Sequence, residues 1–367
     1  MRRAWLATGA ALALIGLLLG LPPPKRPAPA AAQSPPAGPT LASVWPNAKP
    51  FPIPATFPDG SAYTPGLILD PTASIGTVTR SDGQHTDLAE VPATGAPRIL
   101  QTQLVTDGGS FDGITATPTG LYWMHTLSDA TGQAHTTLWT APRSGGPARQ
   151  LSADVGAPAF YGSGNDVQAA GDRLYWTAAR PGRPDQIELR SIPLAGGTVT
   201  VKVLDGAWAL STWPWLVTAP SAAGQATRLE NATTGQVIQV HAPANKLLTC
   251  TPAWCRMIPD NSAGPIRTAL IRPDGTDLRV IGDDNTAAVG GDVAVLDRFE
   301  LLMTVLNQTL TSQIVVSKVA LYDIVRRQTV LVCPACTEAA VRGSFLWWST
   351  GNNETLAWRG LNLRTLG

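Results

Sequence analysis

Short apolar runs that alternate with polar turns extend from about residue 50 to the end of the chain. Two of these runs, GLYW at 120–123 and RLYW at 173–176, start 53 residues apart, and a third version, FLWW, occupies 345–348. Each run is followed by a polar stretch and then by a second run with the composition of a strand. Apolar and aromatic runs of this length between turn residues predict β-strands. Their recurrence predicts a repeat protein.

Turn signals recur once in each unit. They lie at 94–95, 145–146, 196–197, 234–235, 274–275 and, less clearly, 326–327, at spacings of 51, 51, 38, 40 and 52 residues. Asp-Gly and Gly-Gly pairs supply the positive φ angles that tight hairpins require, and a period of about 40–50 residues fits one four-stranded blade. The pattern predicts an all-β fold, a β-propeller of about seven four-stranded blades, with six as the alternative. A β-sandwich followed by a second β domain is the competing interpretation, but it requires no fixed period.

The last unit ends where its fourth strand should begin. A closed ring needs that edge covered, so we expect a segment near the start of the domain, either 51–57 or 67–70, to supply the outer strand. Trp347 and Trp348 are adjacent within this unit. Because successive strand residues point to opposite faces, we expect one of them to face each neighbouring blade.

One unit resembles a known family. Residues 172–177 (DRLYWT), followed by 187–190 (IELR) and 194–197 (LAGG), look like a blade of the YWTD type and are similar to the TolB-like propellers of the bacterial envelope. YWTD blades carry an aspartate where this chain has Ala178, which puts in doubt the polar network that the aspartate maintains between blades. The resemblance implies the fold and a tendency to bind proteins, peptides or glycans. It transfers no functional residue.

The N-terminus has the features of an export segment. An uncharged apolar run at 4–21 follows two arginines and predicts an apolar helix, so 1–21 is interpreted either as a signal peptide or as an N-terminal membrane anchor. Residues 22–50 are rich in proline and alanine and predict an extended linker. The propeller domain is expected at 51–367, outside the cytoplasmic membrane, either membrane-anchored by the N-terminus or secreted.

Composition limits the class of partner. Only 14% of the residues are charged and the formal net charge is +1, so bulk electrostatics do not favour nucleic acid. The 35 glycines, 32 prolines and 12 tryptophans suit a protein with many turns and large aromatic anchors. We expect most tryptophans to pack between blades, and a surplus on an exposed rim would form a binding surface.

The four cysteines, Cys250, Cys255, Cys333 and Cys336, predict disulfides, because their number is even and the chain is expected to be exported. Three connectivities are possible. Comparison of the units places the first two across a tight hairpin between the first two strands of a blade, and the last two between the sixth and seventh units, so we expect two local bridges. A redox dithiol or a zinc site is the alternative for the last two, but a strand precedes them and the spacings suit zinc poorly.

The sequence indicates no catalytic, cofactor-binding or metal site. The histidines at 85, 125, 135 and 241 have no metal-ligand spacing, and we expect His125 and His135 to be solvated. The run YGSG at 161–164 resembles a hydrolase elbow but lacks the strand-to-helix pattern around it. Oxygen-rich clusters at 283–285 and 352–354 are candidate Ca²⁺ loops, although polar turns are the simpler explanation.

Export, the linker and the propeller pattern lead to a functional hypothesis. We expect a non-catalytic binding or adaptor module of the cell envelope, with a protein, peptide or glycan as its partner and the membrane contacted through the N-terminus if that segment is uncleaved. A metal-dependent propeller hydrolase of the lactonase type is the first alternative, although the candidate inner strands at 169–171 and 340–343 offer no obvious ligand set. A purely structural envelope protein is the second.

Overall fold

The described residues of the computed structural model are 38–219, 227–241, 246–259, 266–283, 285–307, 315–352 and 355–367. They belong to one unit, Gly38–Gly367, and form seven sheets that make the blades of a β-propeller. The ring confirms the prediction of seven blades, and the alternatives of six blades and of a sandwich with a second domain are wrong.

The chain passes once around the ring, and the strands of each blade run from the axis outwards. Before blade 1 lie a short helix, α1 (Leu41–Val44), and strand β1 (Phe51–Ile53). Blades 1, 2 and 3 then contain β2 (Tyr63–Asp70), β3 (Ala73–Thr79), β4 (His85–Pro92) and β5 (Arg98–Leu104); β6 (Ser110–Ala116), β7 (Gly120–Ser128), β8 (Ala134–Pro142) and β9 (Arg149–Ser152); and β10 (Ala157–Pro158), β11 (Val167–Ala170), β12 (Arg173–Ala179), β13 (Gln186–Pro193) and β14 (Thr200–Asp205).

The remaining blades repeat this order, with one additional strand in blade 6. Blade 4 contains β15 (Trp208–Leu210), β16 (Trp215–Thr218), β17 (Arg228–Asn231) and β18 (Val237–Gln239); blade 5 contains β19 (Lys246–Cys250), β20 (Cys255–Pro259), β22 (Ala269–Ile271) and β23 (Arg279–Val280); blade 6 contains β21 (Ile266–Arg267), β24 (Asn285–Ala288), β25 (Phe299–Asn307), β26 (Val316–Asp323) and β27 (Gln328–Cys336); and blade 7 contains β28 (Glu338–Arg342), β29 (Phe345–Thr350) and β30 (Ala357–Asn362). Strand β21 pairs in parallel with β24. Two 3-10 helices, Val105–Asp107 and Leu363–Thr365, complete the described elements.

The turn signals of the sequence all fall at one structural position. Each of the six predicted turns connects the third strand of a blade to its fourth, from 94–95 between β4 and β5 to 326–327 between β26 and β27. The glycines at these turns have positive φ, as at Gly95 (102°) and Gly146 (111°), and in blade 6 Arg327 (53°) takes this conformation. The three aromatic runs also share one position, the second strand of a blade. Each repeated unit of the sequence therefore corresponds to one blade of the fold.

Strand β1 closes the ring. It pairs antiparallel with β30, so that Phe51 lies opposite Gly360 and Ile53 opposite Trp358. The prediction that a segment at 51–57 supplies the missing outer strand is confirmed, whereas 67–70 lies in the inner strand of blade 1. Gly360 leaves room for the Phe51 ring at this pairing, because a Cβ there would lie 2.4 Å from the ring and would force it to move.

The hydrophobic core is divided among the contacts between neighbouring blades. Trp347 packs with Tyr63 and Val78 of blade 1, whereas Trp348 packs with Phe299 and Leu301 of blade 6. This confirms that adjacent residues of one strand face different neighbours. Burial by packing likewise accounts for most other tryptophans, since Trp45, Trp123, Trp176, Trp208, Trp254 and Trp358 are all buried.

Residues 38–50, at the end of the predicted linker, contact the last two blades. Thr40 forms a parallel bridge with Leu331 of β27 and caps helix α1. Trp45 is buried against the edge of Phe299, at 5.9 Å between ring centroids, and its Nε1 donates to the Gly367 carbonyl at 3.2 Å. The predicted apolar helix at 4–21 lies outside the described residues. Within the described ranges, no helix has the length and apolar character needed to cross a membrane.

Both predicted disulfides are present. Cys250–Cys255 joins the facing ends of β19 and β20 across a tight hairpin, as expected. Cys333–Cys336 lies at the end of β27, directly before β28 begins blade 7. All four cysteines are buried, and none of them is a free thiol in this structure.

Candidate functional site

A cavity of about 720 Å³ lies on the ring axis, at the end where the inner strands connect to the second strands. Every blade contributes to its wall. The contributing residues include, from blade 1 to blade 7, Leu67, Thr117, Gly164, Thr212, Thr251, Asp292 and Arg342. The seven-fold arrangement brings these residues together from positions up to 275 residues apart in the chain, from Leu67 to Arg342. Small-molecule sites commonly occupy about 300–1,000 Å³.

An interruption of the inner strand of blade 3 shapes this cavity. Strands β10 and β11 both pair with β12, as two halves of one inner strand. The residues between them, 159–166, leave the sheet, and we name them the axial insertion. The sequence of this segment, AFYGSGND, is rich in turn-forming residues and lacks the alternation of a strand. Its composition therefore explains why it leaves the sheet at this point.

The axial insertion reaches the opposite side of the ring. The Ser163 hydroxyl donates to Asp292 Oδ1 at 2.7 Å, and the Gly164 amide donates to the same oxygen at 2.9 Å. Arg342 Nη2 donates to the Gly164 carbonyl at 3.3 Å. These hydrogen bonds join blade 3 to blades 6 and 7, which lie across a ring of seven. The insertion and its partners thus form a floor across the axis.

Glycine is required where the insertion meets blade 6. A Cβ on Gly291 would lie 2.6 Å from the Ser163 Cα, and a Cβ on Gly164 would lie 2.6 Å from Asp292 Oδ2. Such distances are too short for non-bonded atoms, and on the Gly291 side the obstacle is backbone. The two segments therefore pack backbone against backbone, which is the close approach that glycine permits.

Residues 289–298, here the blade 6 loop, have an unusual backbone. Ala294, Leu296 and Asp297 have positive φ angles of 47°, 59° and 54°. This region is unfavourable for residues with a side chain, and such strain persists only where the surrounding structure enforces it. Concentrations of strained residues are typical of functional sites. The loop supplies Asp292 and Asp297 to the cavity wall.

A buried ion pair holds the blade 6 loop in place. Arg256 and Glu300 are almost completely buried, and the Arg256 Nε donates to Glu300 Oε1. Arg256 also donates to the carbonyls of Gly290, at 2.6 Å, and Asp292, at 2.5 Å, while Glu300 Oε2 accepts from the Ala294 amide at 2.7 Å. Burial raises the pKa of Glu300, and Arg256 opposes this rise. The pair thus fixes the loop through its backbone.

Two charged groups at the floor of the cavity, Asp166 and Arg342, are desolvated. Burial raises the pKa of Asp166 from its ordinary 3.8 to about 6, although its Oδ2 accepts from the Tyr161 amide at 3.0 Å and the Ser163 amide at 3.1 Å, and Arg342 opposes the rise. Burial also lowers the pKa of Arg342, and the carboxylates of Asp292 and Asp166 oppose this. Both shifts favour the neutral forms, as expected where water is scarce.

The charges on the cavity wall are balanced. Arg143 and Arg342 are basic, and Asp292 and Asp297 are acidic. Arg143 is already paired with Asp70 at 3.3 Å. A wall with this balance offers no continuous basic surface to a polyanion, and it carries separate groups for opposite charges.

The histidines lie away from the cavity. His85 and His135 are in outer hairpins and contact Asp82 and Asp129, respectively. The expectation that His125 is solvated is wrong: it is buried in β7, its ring bonded to Gln101 at 2.7 Å and Gln103 at 2.8 Å. Burial lowers its pKa. The polar pattern around it gave no sign of this, because both glutamines belong to the neighbouring blade.

Other sequence-based candidates also fall outside the cavity. Cys250 is adjacent to the wall residue Thr251, but its disulfide is buried between strands, and Cys333 and Cys336 lie at the outer strand of blade 6. The candidate Ca²⁺ loops at 283–285 and 352–354 lie partly outside the described residues. Among the residues described, no group of three or more His, Cys, Asp or Glu side chains could hold a metal ion.

The axial positions are only partly predictable from the sequence. The predicted inner-strand segments 169–171 and 340–343 are confirmed by β11 and β28 for 169–170 and 340–342, but no role was predicted for Arg342. The run YGSG at 161–164, which lacks the pattern of a hydrolase elbow, lies in the axial insertion. Asp166 and Asp292 were missed. The one available signal was the glycine-rich polar run at 161–166, which interrupts a unit where an inner strand is due.

No protein-family model matches the chain, and no curated protein matches it. Solved structures do show a similar fold. A puromycin-hydrolysing peptidase of Mycobacterium tuberculosis is 13% identical, with 86% of this chain and 56% of that chain covered and a TM-score of 0.48. The propeller domain of the trilobed protease of Pyrococcus furiosus is 10% identical, with coverages of 68% and 81% and a TM-score of 0.45.

TolB of Acinetobacter baumannii is 12% identical, with 79% of each chain covered and a TM-score of 0.35. This agrees with the resemblance to TolB-like propellers at the level of fold. The present chain spans about half the length of the puromycin-hydrolysing peptidases to which it is similar. At these identities the comparisons show the fold alone.

The comparisons correct the functional expectation drawn from the sequence. A non-catalytic binding or adaptor module of the cell envelope was expected, with a lactonase-type hydrolase or a structural protein as alternatives. The solved structures with this fold instead include a puromycin hydrolase, an acylaminoacyl peptidase and the trilobed protease. The expectation was based on the absence of a recognisable catalytic motif, and a fold alone does not decide whether a protein takes part in catalysis.

Proposed function

We propose that this chain takes part in peptide hydrolysis of the peptidase type, with the axial cavity as the place where a short peptide is taken up and selected. The main support for this proposal is the cavity itself. All seven blades line it, and the axial insertion closes its base. Its volume of about 720 Å³ suits a few residues of extended chain and excludes a folded protein.

The chemistry of the wall supports a peptide. Its basic and acidic groups are balanced, so it provides for the opposite charges of free peptide ends better than for a polyanion. Strand ends and connecting loops also present backbone amides and carbonyls, which can pair with the amides of a bound peptide. Asp297 is exposed and has no hydrogen-bond partner among the residues described, so its carboxylate is available to an incoming ammonium group.

The test is binding and cleavage of short peptides by the full-length chain. Calorimetry with peptides of two to five residues should show saturable binding, and mass spectrometry of the same mixtures should detect cleavage products. Substitution Asp297→Asn suits the left-handed backbone at this position and should weaken binding of peptides with a free amino end about fivefold, the loss of one charge-assisted hydrogen bond of about 1 kcal/mol.

The matched control is Asp185→Asn, which removes the same charge from an exposed hairpin and should leave binding unchanged. Absence of binding by every peptide tested would contradict the proposal. Equal effects of the two substitutions would show that the cavity is not the binding site.

We also propose that the chain works outside the cytoplasm. The two disulfides support this location, because disulfides persist in oxidising compartments. Labelling of the intact cell with a membrane-impermeant reagent tests it: the chain should be labelled before lysis, and protection until lysis would contradict an outside location.

A further inference from the structure

Arg342 is a half-buried charge at the cavity, and most of its donors are unpaired within the described part of the chain. Of its five N–H donors, one contact is formed, from Nη2 to the Gly164 carbonyl at 3.3 Å. No carboxylate lies within ion-pair distance of it among the described residues, and Nε and Nη1 have no hydrogen-bond partner there. The residue ends inner strand β28 and lies on the cavity wall. It therefore presents unused donors to whatever enters.

The nearby carboxylates, Asp292 and Asp166, do not pair with the unused donors of Arg342. Asp292 Oδ1 is occupied by the Ser163 hydroxyl and the Gly164 amide, and Asp166 Oδ2 by the amides of Tyr161 and Ser163. Each carboxylate thus uses one oxygen to hold the axial insertion, and neither accepts a hydrogen bond from Arg342, although the charges of both oppose the lowering of its pKa. Other arginines of the chain are used differently: Arg256, Arg190 and Arg298 each form an ion pair with a largely buried carboxylate, from Glu300, Glu188 and Asp323, respectively.

A carboxylate is the ligand that this arrangement suits. A guanidinium presents its donors in a planar fork that matches the two oxygens of a carboxylate, and such a pair is stronger than a neutral hydrogen bond, especially away from water. Desolvation disfavours the isolated Arg342 charge, so an incoming anion that pairs with it gains more than it would at the surface.

We propose that Arg342 anchors a carboxylate of the bound peptide, so that the substrate class is short peptides that bring a carboxylate to the floor of the cavity. The carboxylate comes either from the free C-terminus or from an acidic side chain. This inference rests on the proposed function, since it names the group by which the cavity recognises its peptide. Arg342 is a binding and specificity residue in this role.

The experiment uses the full-length wild-type chain and three tripeptides of alanine: the free acid, its C-terminal amide, and an amide whose last residue is glutamate. The free acid should bind at least about tenfold more tightly than the alanine amide, a difference of about 1.4 kcal/mol. If only the glutamate amide binds more tightly than the alanine amide, the side chain is the source of the carboxylate. If only the free acid does so, the C-terminus is the source, and if both do, either group serves.

Two variants locate the effect. Arg342→Gln should bind the free acid and the amide equally, and Arg342→Lys should keep part of the preference, because the charge remains while the planar fork is lost. The matched control, Arg364→Gln, removes an exposed arginine and should leave the preference intact. Circular dichroism and the binding of an uncharged peptide by Arg342→Gln show that the ring is folded.

The outcomes separate the two proposals. If the wild-type chain binds the free acid, the alanine amide and the glutamate amide equally, peptide binding stands and the Arg342 anchor is overturned. If the preference persists in Arg342→Gln, a different residue is the anchor. If no peptide binds at all, the proposed function fails, and the anchor fails with it.

Discussion

Asp166 allows a quantitative test of the axial site. It is buried beneath the cavity and its pKa is raised to about 6 by burial, against 3.8 in an unfolded chain. Arg342 and Tyr161 interact with it electrostatically, and Asp292 acts on the same Arg342. We consider the substitution Asp166→Asn. The two amides that Asp166 binds both donate to Oδ2, so one carbonyl oxygen of asparagine can accept both.

The sign of the effect follows from the two pKa values. Below pH 4 the carboxyl is neutral in both the folded and the unfolded state. The difference in unfolding free energy between the variant and the wild type is therefore independent of pH in this range. Between pH 4 and 6 the unfolded state ionises while the folded state retains its proton, so the wild type loses stability relative to the variant. Above pH 6 the folded state ionises as well, and the difference becomes constant again.

The magnitude follows from the size of the shift. The raised pKa exceeds the unfolded value by about 2 units, and each unit corresponds to about 1.4 kcal/mol, so the stability of the variant relative to the wild type should rise by up to about 3 kcal/mol from pH 4 to pH 7. Subtracting the unfolding free energy of the wild type from that of the variant at each pH removes the contributions of all other groups.

The assay is urea unfolding followed by tryptophan fluorescence at pH 4, 5, 6 and 7. Asp185→Asn is the control, because Arg183 lowers the pKa of Asp185. The stability of this variant relative to the wild type should therefore fall, not rise, as the pH increases. The reasoning about a desolvated floor is refuted if the stability difference for Asp166→Asn is independent of pH or falls as the pH rises.

Three further predictions concern the stability of the site and the ring. Gly291→Ala should cost about 1–3 kcal/mol in urea unfolding, because its Cβ would meet the Ser163 backbone, whereas Gly38→Ala has open space around it and should cost little. Arg256→Leu should cost about 3–5 kcal/mol by leaving Glu300 buried without its partner; a loss below 1 kcal/mol would contradict the role of this pair. Replacement of both cysteines of either disulfide by alanine should cost only about 2 kcal/mol by the same assay, because each bridge closes a very short loop, and a loss of 4 kcal/mol or more would show that a bridge also holds the surrounding strands.

The parts of the fold that could be predicted depend on local chemistry. A tight turn needs positive φ wherever it occurs, so Gly95, Gly146 and their equivalents mark the third hairpin of each blade. The second strands bury aromatic residues between blades, so the runs at 120–123, 173–176 and 345–348 mark that position. Closure by β1 followed from a general need, since an uncovered strand edge in a ring is unstable.

The candidate site could not be predicted in this way because it depends on long-range geometry. Ser163 and Asp292 are 129 residues apart in the chain, and Gly164 and Arg342 are 178 apart. The ring brings them together only because blade 3 lies opposite blades 6 and 7. Neither Asp292 nor Arg342 belongs to a motif with a fixed spacing. His125 illustrates the same limit, since its burial depends on two glutamines of the neighbouring blade.

The departures from the repeat coincide with the cavity. The inner strand of blade 3 is interrupted, the blade 6 loop holds Ala294, Leu296 and Asp297 in the left-handed region, and Gly164 and Gly291 have no room for a Cβ. Each of these features costs stability. None of them is needed to close the ring, because the pairing of β1 with β30 does that. Structures retain such costs where the surrounding fold enforces them and where function benefits. The packing between blades therefore supports the irregular axis, and if the proposed function holds, substitutions there should change peptide affinity in ways that substitutions in the outer hairpins do not.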